Sequence, residues 1–351
     1  MAKHTVQAVM ILTAAAIAVL SGPGGGDAIA QTVSGPKVHW NVSLYGKSRG
    51  STLGFETLRD ELAARTGGNF VFQLHYGETL APAKENLDAL KIGAFEAAWG
   101  VTPYHPGKQP AVSALELPFL PMENMAAVAK VHESYYRLPE VTKEFATWNS
   151  TYLAAVILPH YEFMGNGKVP VNIEDWKNRR LRAPGGAGKV MEKIGAVPTS
   201  MPAPDIYGAL ERGLIEAVAL DYYAFASYRI HELSTWYTKG FGLYSPATQI
   251  LAGTPYYEAL PPQYKQLLAE LGPRSTNKMV AELYKIDEQA EEDFKKRGMK
   301  MVTLTPAVRQ QILADTQQTV WSDWVKEVTP RGVPGQKLLD FILAEAKKAQ
   351  M

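Results

Sequence analysis

The stretch Val38-His-Trp-Asn-Val-Ser-Leu44 begins the pattern that decides the fold. Its side chains alternate between apolar and polar, which predicts a strand. Apolar residues then recur at helical spacing over residues 55–62, alternate again over 70–74, return to helical spacing over 87–92 and form a third strand over 95–99. The order strand, helix, strand, helix, strand is typical of an α/β domain with a mostly parallel sheet.

A second α/β block follows further along the chain. Residues 152–158 are nearly all apolar, as expected for a strand that is covered on both faces. Short strands are predicted over residues 180–183 and 217–220, with helical patterns between them. No low-complexity linker and no repeat of fixed period separates the two blocks. This continuity favours two α/β lobes joined by several short crossings.

The last third of the chain is mainly helical. Residues 261–271 have a helical pattern, and residues 275–296 form a long charged amphipathic pattern. A strand over residues 299–304 and two helices, at roughly 306–327 and 335–348, complete the chain. These helices are long enough to pack across more than one sheet.

The composition of the chain excludes several classes of protein. In 351 residues, 36 Lys and Arg balance 35 Asp and Glu, so the formal net charge is +1. General binders of nucleic acid or anionic membranes need a concentrated positive field, which this balance does not supply. The absence of cysteine excludes disulfides, thiolate metal sites, a cysteine nucleophile and a lipid-anchored cysteine. The hydrophobic content of 46% is sufficient for a sizeable core.

The first 30 residues have the layout of a secretory signal peptide. Lys3 supplies a basic start, residues 9–20 form an apolar run of twelve, and Ala28-Ile-Ala30 resembles a small-residue cleavage site. Twelve apolar residues are too few to span a bilayer core, which needs about 20. We therefore expect residues 1–30 to be removed when the protein is exported to the periplasm.

The sequence contains no recognisable catalytic or cofactor motif. The glycine-rich stretch ending at Lys189 is not a phosphate loop, because Ala183 and Val190 occupy positions that need Gly and Ser or Thr. The six histidines after the signal peptide have no i,i+4 pair that would form a metal-binding face. We expect a protein that is not an enzyme, with a periplasmic hydrolase or lyase as the alternative.

Three motifs occur in a fixed order in the middle of the chain. They are Leu115-Glu-Leu-Pro-Phe-Leu120, Arg180-Leu-Arg-Ala-Pro-Gly-Gly186 and Pro204-Asp-Ile-Tyr-Gly-Ala-Leu-Glu-Arg-Gly-Leu-Ile-Glu-Ala217. Together they resemble the DctP-type extracytoplasmic solute receptors of tripartite ATP-independent periplasmic (TRAP) transporters. The resemblance covers nearly the whole chain after residue 30.

The resemblance implies the two-lobe fold of periplasmic binding proteins, with hinge strands and a long helix that spans both lobes. We predict that residues 31–157 and 247–285 form lobe I and that residues 158–246 and 286–351 form lobe II. Such a receptor closes on a small organic acid and delivers it to the membrane permease subunits of the transporter. We expect a monomer that binds no nucleic acid. A receptor that presents its ligand to a membrane sensor would use the same fold and is a second alternative.

The resemblance also implies that Arg182 binds the carboxylate of the ligand. A guanidinium keeps its charge when it is buried, and its planar fork matches a carboxylate. Relatives that bind sialic acids have a second arginine upstream, and here the matching position is Glu162, followed by Phe163. We therefore expect a monocarboxylate with a hydrophobic body, such as an aromatic, 2-oxo or 2-hydroxy acid, held partly by Glu162 and Phe163.

Asp221 lies near the position at which 2-oxo-acid receptors hold a metal ion. It could ligate a hard cation such as Na⁺ or Ca²⁺, bind a hydroxyl or keto group of the ligand, or cap the following helix. Aromatic side chains stand where loops leave the predicted strands, at Tyr45, Trp99, Tyr222 and Tyr223. These could shape the ligand pocket or pack in the core, since aromatic side chains are suited to both.

Overall fold

Two β-sheets organise the computed structural model, which describes residues 32–350. The predicted signal peptide lies outside the described residues. The strands are β1 (Val38–Ser43), β2 (Phe70–His75), β3 (Ala97–Val101), β4 (Ser150–Ala155), β5 (Glu162–Gly165), β6 (Arg180–Arg182), β7 (Val197–Thr199), β8 (Ala217–Leu220), β9 (Trp236–Lys239), β10 (Thr248–Gly253) and β11 (Lys300–Thr303).

Helices cover both sheets. They are α1 (Leu53–Arg65), α2 (Asn86–Lys91), α3 (Met125–Tyr136), α4 (Pro139–Thr147), α5 (Gly185–Lys193), α6 (Ile206–Glu211), α7 (Tyr222–Ser227), α8 (Thr254–Glu258), α9 (Pro262–Lys296), α10 (Pro306–Val328) and α11 (Gly335–Ala349). No helix within residues 32–350 is both long and apolar enough to cross a membrane.

The first sheet has the strand order β2-β1-β3-β10-β4, and the second has the order β11-β9-β5-β8-β6-β7. In the first sheet β1 is parallel to β2 and β3, as the strand–helix–strand pattern predicts. β10 runs antiparallel to β3 and β4, so this sheet is mixed. In the second sheet β6 is parallel to β7 and β8, while β5 is antiparallel to β8 and β9. The predicted α/β class is confirmed.

Two chain segments cross between the sheets side by side, residues 156–161 and 243–248. The Tyr161 N–H donates to the Tyr244 carbonyl at 3.0 Å, and the Leu243 N–H donates to the Tyr161 carbonyl at 3.3 Å. The paired segments therefore form a two-stranded connection that links the sheets by main-chain hydrogen bonds.

The long helix α9 packs against elements of both sheets. Near its start, a Cβ on Gly272 would lie 2.3 Å from the Leu153 carbonyl oxygen, so the helix touches β4 directly. Near its end, the Phe294 ring lies 5.8 Å from that of Tyr237 in β9. The sequence pattern predicts two separate helical stretches here, but the helix continues through Pro273. Burial of the flanking turns outweighs the main-chain hydrogen bond that a proline cannot make.

Replacing Gly272 by Ala tests the contact between α9 and β4. We expect Gly272→Ala to lower the free energy of unfolding by about 1–3 kcal/mol, because the new methyl group would overlap a main-chain oxygen. Denaturant unfolding monitored by circular dichroism measures the change. Gly208→Ala in α6 is the matched control, since its Cβ would meet nothing closer than Arg212 Nη1 at 3.5 Å. Equal losses in the two variants would contradict the argument.

Candidate functional site

Arg182 ends β6 as one of the largest fully buried side chains. Its Nη1 donates to the Ala219 carbonyl at 2.8 Å, and its Nε and Nη2 each donate to the Met201 carbonyl at 3.1 Å. A guanidinium has five N–H groups, so two remain after these bonds, and one of the two donates to the Tyr161 side chain. No Asp or Glu within residues 32–350 forms an ion pair with Arg182. The main chain therefore fixes a buried positive charge that can still accept a carboxylate.

Three tyrosines surround this guanidinium: Tyr104 after β3, and Tyr161 and Tyr244 in the crossing segments. Burial acts to lower the pKa of Arg182, but the neighbouring tyrosine hydroxyls raise it above the usual arginine value. The Tyr161 and Tyr244 rings meet edge to face at 5.3 Å. The Tyr244 hydroxyl donates to the Pro184 carbonyl at 3.0 Å, which fixes that ring beside the glycine turn.

A second arginine, Arg49, reaches this region from the loop between β1 and α1. Its Cζ lies 5.1 Å from the ring centre of Tyr45, 5.4 Å from that of Trp99 and 5.0 Å from that of Tyr228. Its Nη1 donates to the carbonyls of Tyr45 and Lys47 at 3.0 and 2.8 Å. Tyr228 follows α7, the helix that comes directly after β8 of the second sheet. Arg49 therefore links a loop of the first sheet to an element next to the second.

The two arginines share neighbours. Burial raises the pKa of Tyr228, and both Arg49 and Arg182 act to lower it, so both charges lie near its hydroxyl. We call this group the arginine–tyrosine cluster; it consists of Arg49, Arg182, Tyr45, Trp99, Tyr104, Tyr161, Tyr228 and Tyr244. Of the predicted pocket residues, Arg182, Tyr45 and Trp99 lie in it, and the rings of Tyr45 and Trp99 stack at 4.4 Å.

Buried polar atoms at this cluster have no hydrogen-bond partner within residues 32–350. They are Nε of Arg49, Oγ of Ser51, Nε1 of Trp99, Oδ2 of Asp221 and the hydroxyl of Tyr228. Such atoms are rare in proteins, because each has lost its hydrogen bonds to water. Several of them around one charged group are typical of a site for a polar ligand.

Asp221 caps helix α7. Its Oδ1 accepts from the Ala224 N–H at 2.8 Å, which confirms the predicted helix cap, while its Oδ2 remains unpartnered. Burial raises the pKa of Asp221, and the charge of Asp287 on α9 raises it further. Burial also raises the pKa of Asp287, to about 6. Asp287 accepts from the Tyr223 N–H at 2.8 Å, so the two carboxyl groups flank the start of α7.

Asp221 is the residue predicted to hold a metal ion. Within residues 32–350, no group of three or more His, Asp or Glu side chains lies together so that it could hold one. A cation at Asp221 would need further oxygen ligands from the bound acid, since Na⁺ and Ca²⁺ require several. Metal binding at Asp221 therefore stays a prediction.

Glu162 has a structural role in place of the predicted ligand contact. Its carboxylate accepts from the Thr238 hydroxyl at 2.7 Å and from the N–H groups of Gly240, Phe241 and Gly242 at 3.0, 3.2 and 3.0 Å. Both oxygens are occupied by the turn that follows β9. The sequence could not reveal these hydrogen-bond donors to Glu162, because they lie more than 70 residues further along the chain.

Phe163 and Tyr222 also lie away from the arginine–tyrosine cluster. The Phe163 ring packs at 4.8 Å from Trp176 inside the second sheet's core, and the Tyr222 ring meets Tyr237 at 5.7 Å. Tyr223, the next residue, lies beside Arg49 instead, and Arg49 acts to lower its pKa against the effect of burial. Consecutive residues of a helix point about 100° apart, so only one of the pair can face the cluster.

The sequence motifs did not identify Arg49, Tyr104, Tyr161, Tyr228 or Tyr244. Arg49 lies in a loop without periodicity, and its position just after β1 is the only signal that could have indicated it. Tyr161 and Tyr244 lie in the crossing segments, whose pairing depends on the assembled sheets.

The Leu115–Leu120 motif packs against the glycine turn after Arg182. A Cβ on Gly186 would lie 1.8 Å from the Glu116 carbonyl oxygen, so only glycine permits this approach. The Glu116 carboxylate accepts from the Ala247 N–H at 2.6 Å, in a crossing segment. Burial raises the pKa of Glu116 to about 8, partly offset by that hydrogen bond. Two of the motifs thus meet at the connection between the sheets.

Comparison with known proteins shows which family of proteins this chain resembles. The family model of the bacterial extracellular solute-binding proteins, family 7 (DctP), matches residues 46–327. The monocarboxylate 2-oxoacid-binding periplasmic protein of Nostoc sp. strain PCC 7120 is 26% identical over 236 residues, which are 66% of this chain and 64% of that protein. The chain therefore spans slightly less than two thirds of this relative's length.

Solved structures of TRAP solute-binding proteins have the same fold. One from an unidentified marine microbe, specific for aromatic acid ligands and bound to metahydroxyphenylacetate, has a TM-score of 0.82 at 21% identity and covers 90% of this chain and 100% of its own. Another, from Rhodoferax ferrireducens with copurified benzoate, has a TM-score of 0.82 at 22% identity and covers 90% and 99%. The predicted two-lobe architecture is confirmed by these likenesses, which concern the fold alone.

The buried carboxyl group of Glu116 makes stability depend on pH. The unfolded chain releases this proton near pH 4.5 and the folded chain near pH 8, so folding is weakened as pH rises through this interval. We expect Glu116→Gln to match the wild type near pH 4.5 and to be more stable by about 5 kcal/mol above pH 8. Urea unfolding across the pH range measures the difference. Glu211→Gln, at an exposed glutamate, should leave the curve unchanged; a pH-independent effect of Glu116→Gln would refute the argument.

Proposed function

This chain belongs to the DctP family of bacterial extracellular solute-binding proteins, and we propose that it binds a small organic monocarboxylate at the arginine–tyrosine cluster. The observation that carries the proposal is the buried guanidinium of Arg182, which has no carboxylate partner among residues 32–350. A buried charge is stable only when it is paired. A ligand carboxylate would supply the missing partner and use the N–H groups that the main chain leaves free.

The balance of charge favours one carboxylate on the ligand. Arg49 and Arg182 contribute two positive charges to the cluster and its border. Asp221 and Asp287 disfavour each other's ionisation, so together they supply about one negative charge. One ligand carboxylate neutralises the remainder, whereas a dicarboxylate would leave an excess of negative charge.

The surrounding rings favour a flat or hydrophobic body on this acid. Tyrosine and tryptophan side chains combine an apolar face with a polar edge, so they can hold an aromatic ring and a hydroxyl substituent together. Relatives of the chain are described as binding aromatic acids, benzoate or 2-oxo acids. In our proposal a hydroxyl or keto group of the acid binds Oδ2 of Asp221 and Nε1 of Trp99, which have no hydrogen-bond partner among the described residues.

The receptor acts by closing on this acid. In our proposal residues 31–157 with 247–285 and residues 158–246 with 286–351 form the two lobes, and the crossing segments form their hinge. Arg49 and Arg182 approach the ligand from elements of different sheets, so binding draws these elements together. The exported, monomeric protein carries the acid through the periplasm to a membrane permease and performs no reaction on it.

A thermal-shift screen of benzoate, 3-hydroxybenzoate, pyroglutamate and 2-oxobutyrate identifies the preferred acid. With that acid, we expect Arg182→Ala to weaken binding by about 3–5 kcal/mol, the usual cost of leaving one member of a buried charge pair without its partner. Isothermal titration calorimetry measures the change, and circular dichroism checks the fold. Arg180→Ala is the matched control, because Arg180 belongs to the same strand but is exposed and paired with Glu216. Unchanged affinity of a folded Arg182→Ala protein would end the proposal.

Arg49 provides a second test of the same site. We expect Arg49→Gln to weaken binding of the preferred acid by roughly tenfold, because the variant removes one of the two positive charges that attract the ligand carboxylate. Arg49→Lys should restore part of the loss, since it keeps the charge without the planar stacking surface. The comparison uses the same calorimetry. Equal affinities in all three proteins would show that Arg49 has no part in binding.

A further inference from the structure

A cavity of about 530 Å³ lies beside the glycine turn and shares no residue with the arginine–tyrosine cluster. Its walls come from the chain that follows β3, from one side of α5 along its whole length and from the second half of α10. Elements of both sheets therefore meet around it. The volume is within the range of about 300–1,000 Å³ that is usual for small-molecule sites.

Three buried polar side chains line this cavity with atoms that have no hydrogen-bond partner in the described part of the chain. They are both ring nitrogens of His105, Nε2 of Gln109 and Oε2 of Glu116. The exposed fractions of these residues are 2%, 2% and 5%. Four unpartnered atoms around one cavity are costly for folding, because each has given up its bonds to water. A bound molecule with hydrogen-bonding groups would satisfy them.

The polar end of the cavity, formed by His105, Gln109 and Glu116, is uncharged at neutral pH. Burial lowers the pKa of His105 to about 4 and raises that of Glu116 to about 8, so the imidazole is neutral and the carboxyl is mostly protonated. The charged residues of the wall belong to α5, α10 and the turn after α10: Lys193 pairs with Asp323 at 3.1 Å, Arg331 donates to a main-chain carbonyl, and Lys189, Glu192 and Glu327 complete the set. An ion bound at the end formed by His105, Gln109 and Glu116 would therefore lack a counter-charge beside it.

The remaining wall is largely apolar. Leu117, Val320 and Trp324 contribute to it, together with three prolines of the chain after β3. The Trp324 Nε1 donates to the Ser113 hydroxyl at 2.9 Å, which fixes the indole ring as part of the wall. The cavity thus combines an apolar surface with neutral donors and acceptors at one end.

We propose that this cavity is a second binding site, for an uncharged organic molecule that carries an amide or hydroxyl group on an apolar body. The amide or hydroxyl group binds His105, Gln109 and Glu116, and the apolar body packs on Trp324. The proposal does not rest on the function of the arginine–tyrosine cluster. Because the walls come from elements of both sheets, a molecule bound here holds these elements together.

Three molecules of the same shape and different charge test the proposal: benzamide, benzoate and benzamidine. Saturation-transfer NMR and calorimetry on the full protein should show saturable binding of benzamide with one site. Benzamidine should bind at least tenfold more weakly, since its charge finds no partner at the polar end formed by His105, Gln109 and Glu116. Benzamide binding should persist in Arg182→Ala, which separates this site from the cluster whatever becomes of benzoate.

Variants of the polar end locate the bound probe. His105→Phe and Gln109→Met each preserve side-chain size, and each should weaken benzamide binding at least tenfold without lowering the melting temperature. His132→Phe is the matched control, because His132 is equally buried but does not line the cavity. Gln109→Met decides the matter if His105→Phe fails to fold.

Several outcomes would overturn the proposal. They are no saturable benzamide binding up to its solubility limit, equal binding of benzamidine, loss of benzamide binding in Arg182→Ala, or unchanged binding in both His105→Phe and Gln109→Met. A result in which none of the four acids of the thermal-shift screen binds while benzamide binds as expected would count against the proposed function alone.

Discussion

The buried guanidinium of Arg182 is the interaction on which the rest of the site depends. The carbonyls of Met201 and Ala219 hold it in place, so its position is set by the main chain of the second sheet and its surroundings. A permanent charge at this depth requires polar neighbours, and tyrosines meet that requirement because their hydroxyls tolerate a cation while their rings exclude water. The cluster is therefore organised for a ligand that brings the opposite charge with it.

The same short stretch of chain serves both binding and the connection between the sheets. Arg182 is followed within four residues by Gly186, where only a hydrogen side chain allows the Glu116 carbonyl to approach. Glu116 in turn accepts a hydrogen bond from Ala247 in a crossing segment. Strain introduced at the glycine turn would therefore reach both Arg182 and the crossing segments.

Local sequence patterns predicted the fold well, because strand alternation and helical spacing depend on residues that are close together in the sequence. They failed where the outcome depends on distant partners. Pro273 reads as a break but lies inside a helix that is held by packing, and Glu162 reads as free but is occupied by a turn. Arg182 was predictable because it belongs to a motif, whereas Arg49 lies in an irregular loop and gains its place only when the two sheets meet. The sequence pattern did not fix how α7 is rotated about its own axis, so it could not tell that Tyr223 and not Tyr222 lies beside Arg49.

The long helix α9 limits how the two sheets can move relative to each other. The Thr276 hydroxyl donates to the Ala155 carbonyl next to the first sheet, and Asp287 accepts from Tyr223 at the second. An α-helix rises about 1.5 Å per residue and hardly stretches, so these two anchor points stay about 16 Å apart. The sheets can turn about this rod but cannot draw apart along it. In the proposed closure the two lobes would therefore rotate about α9, with the distance between these two anchor points kept constant.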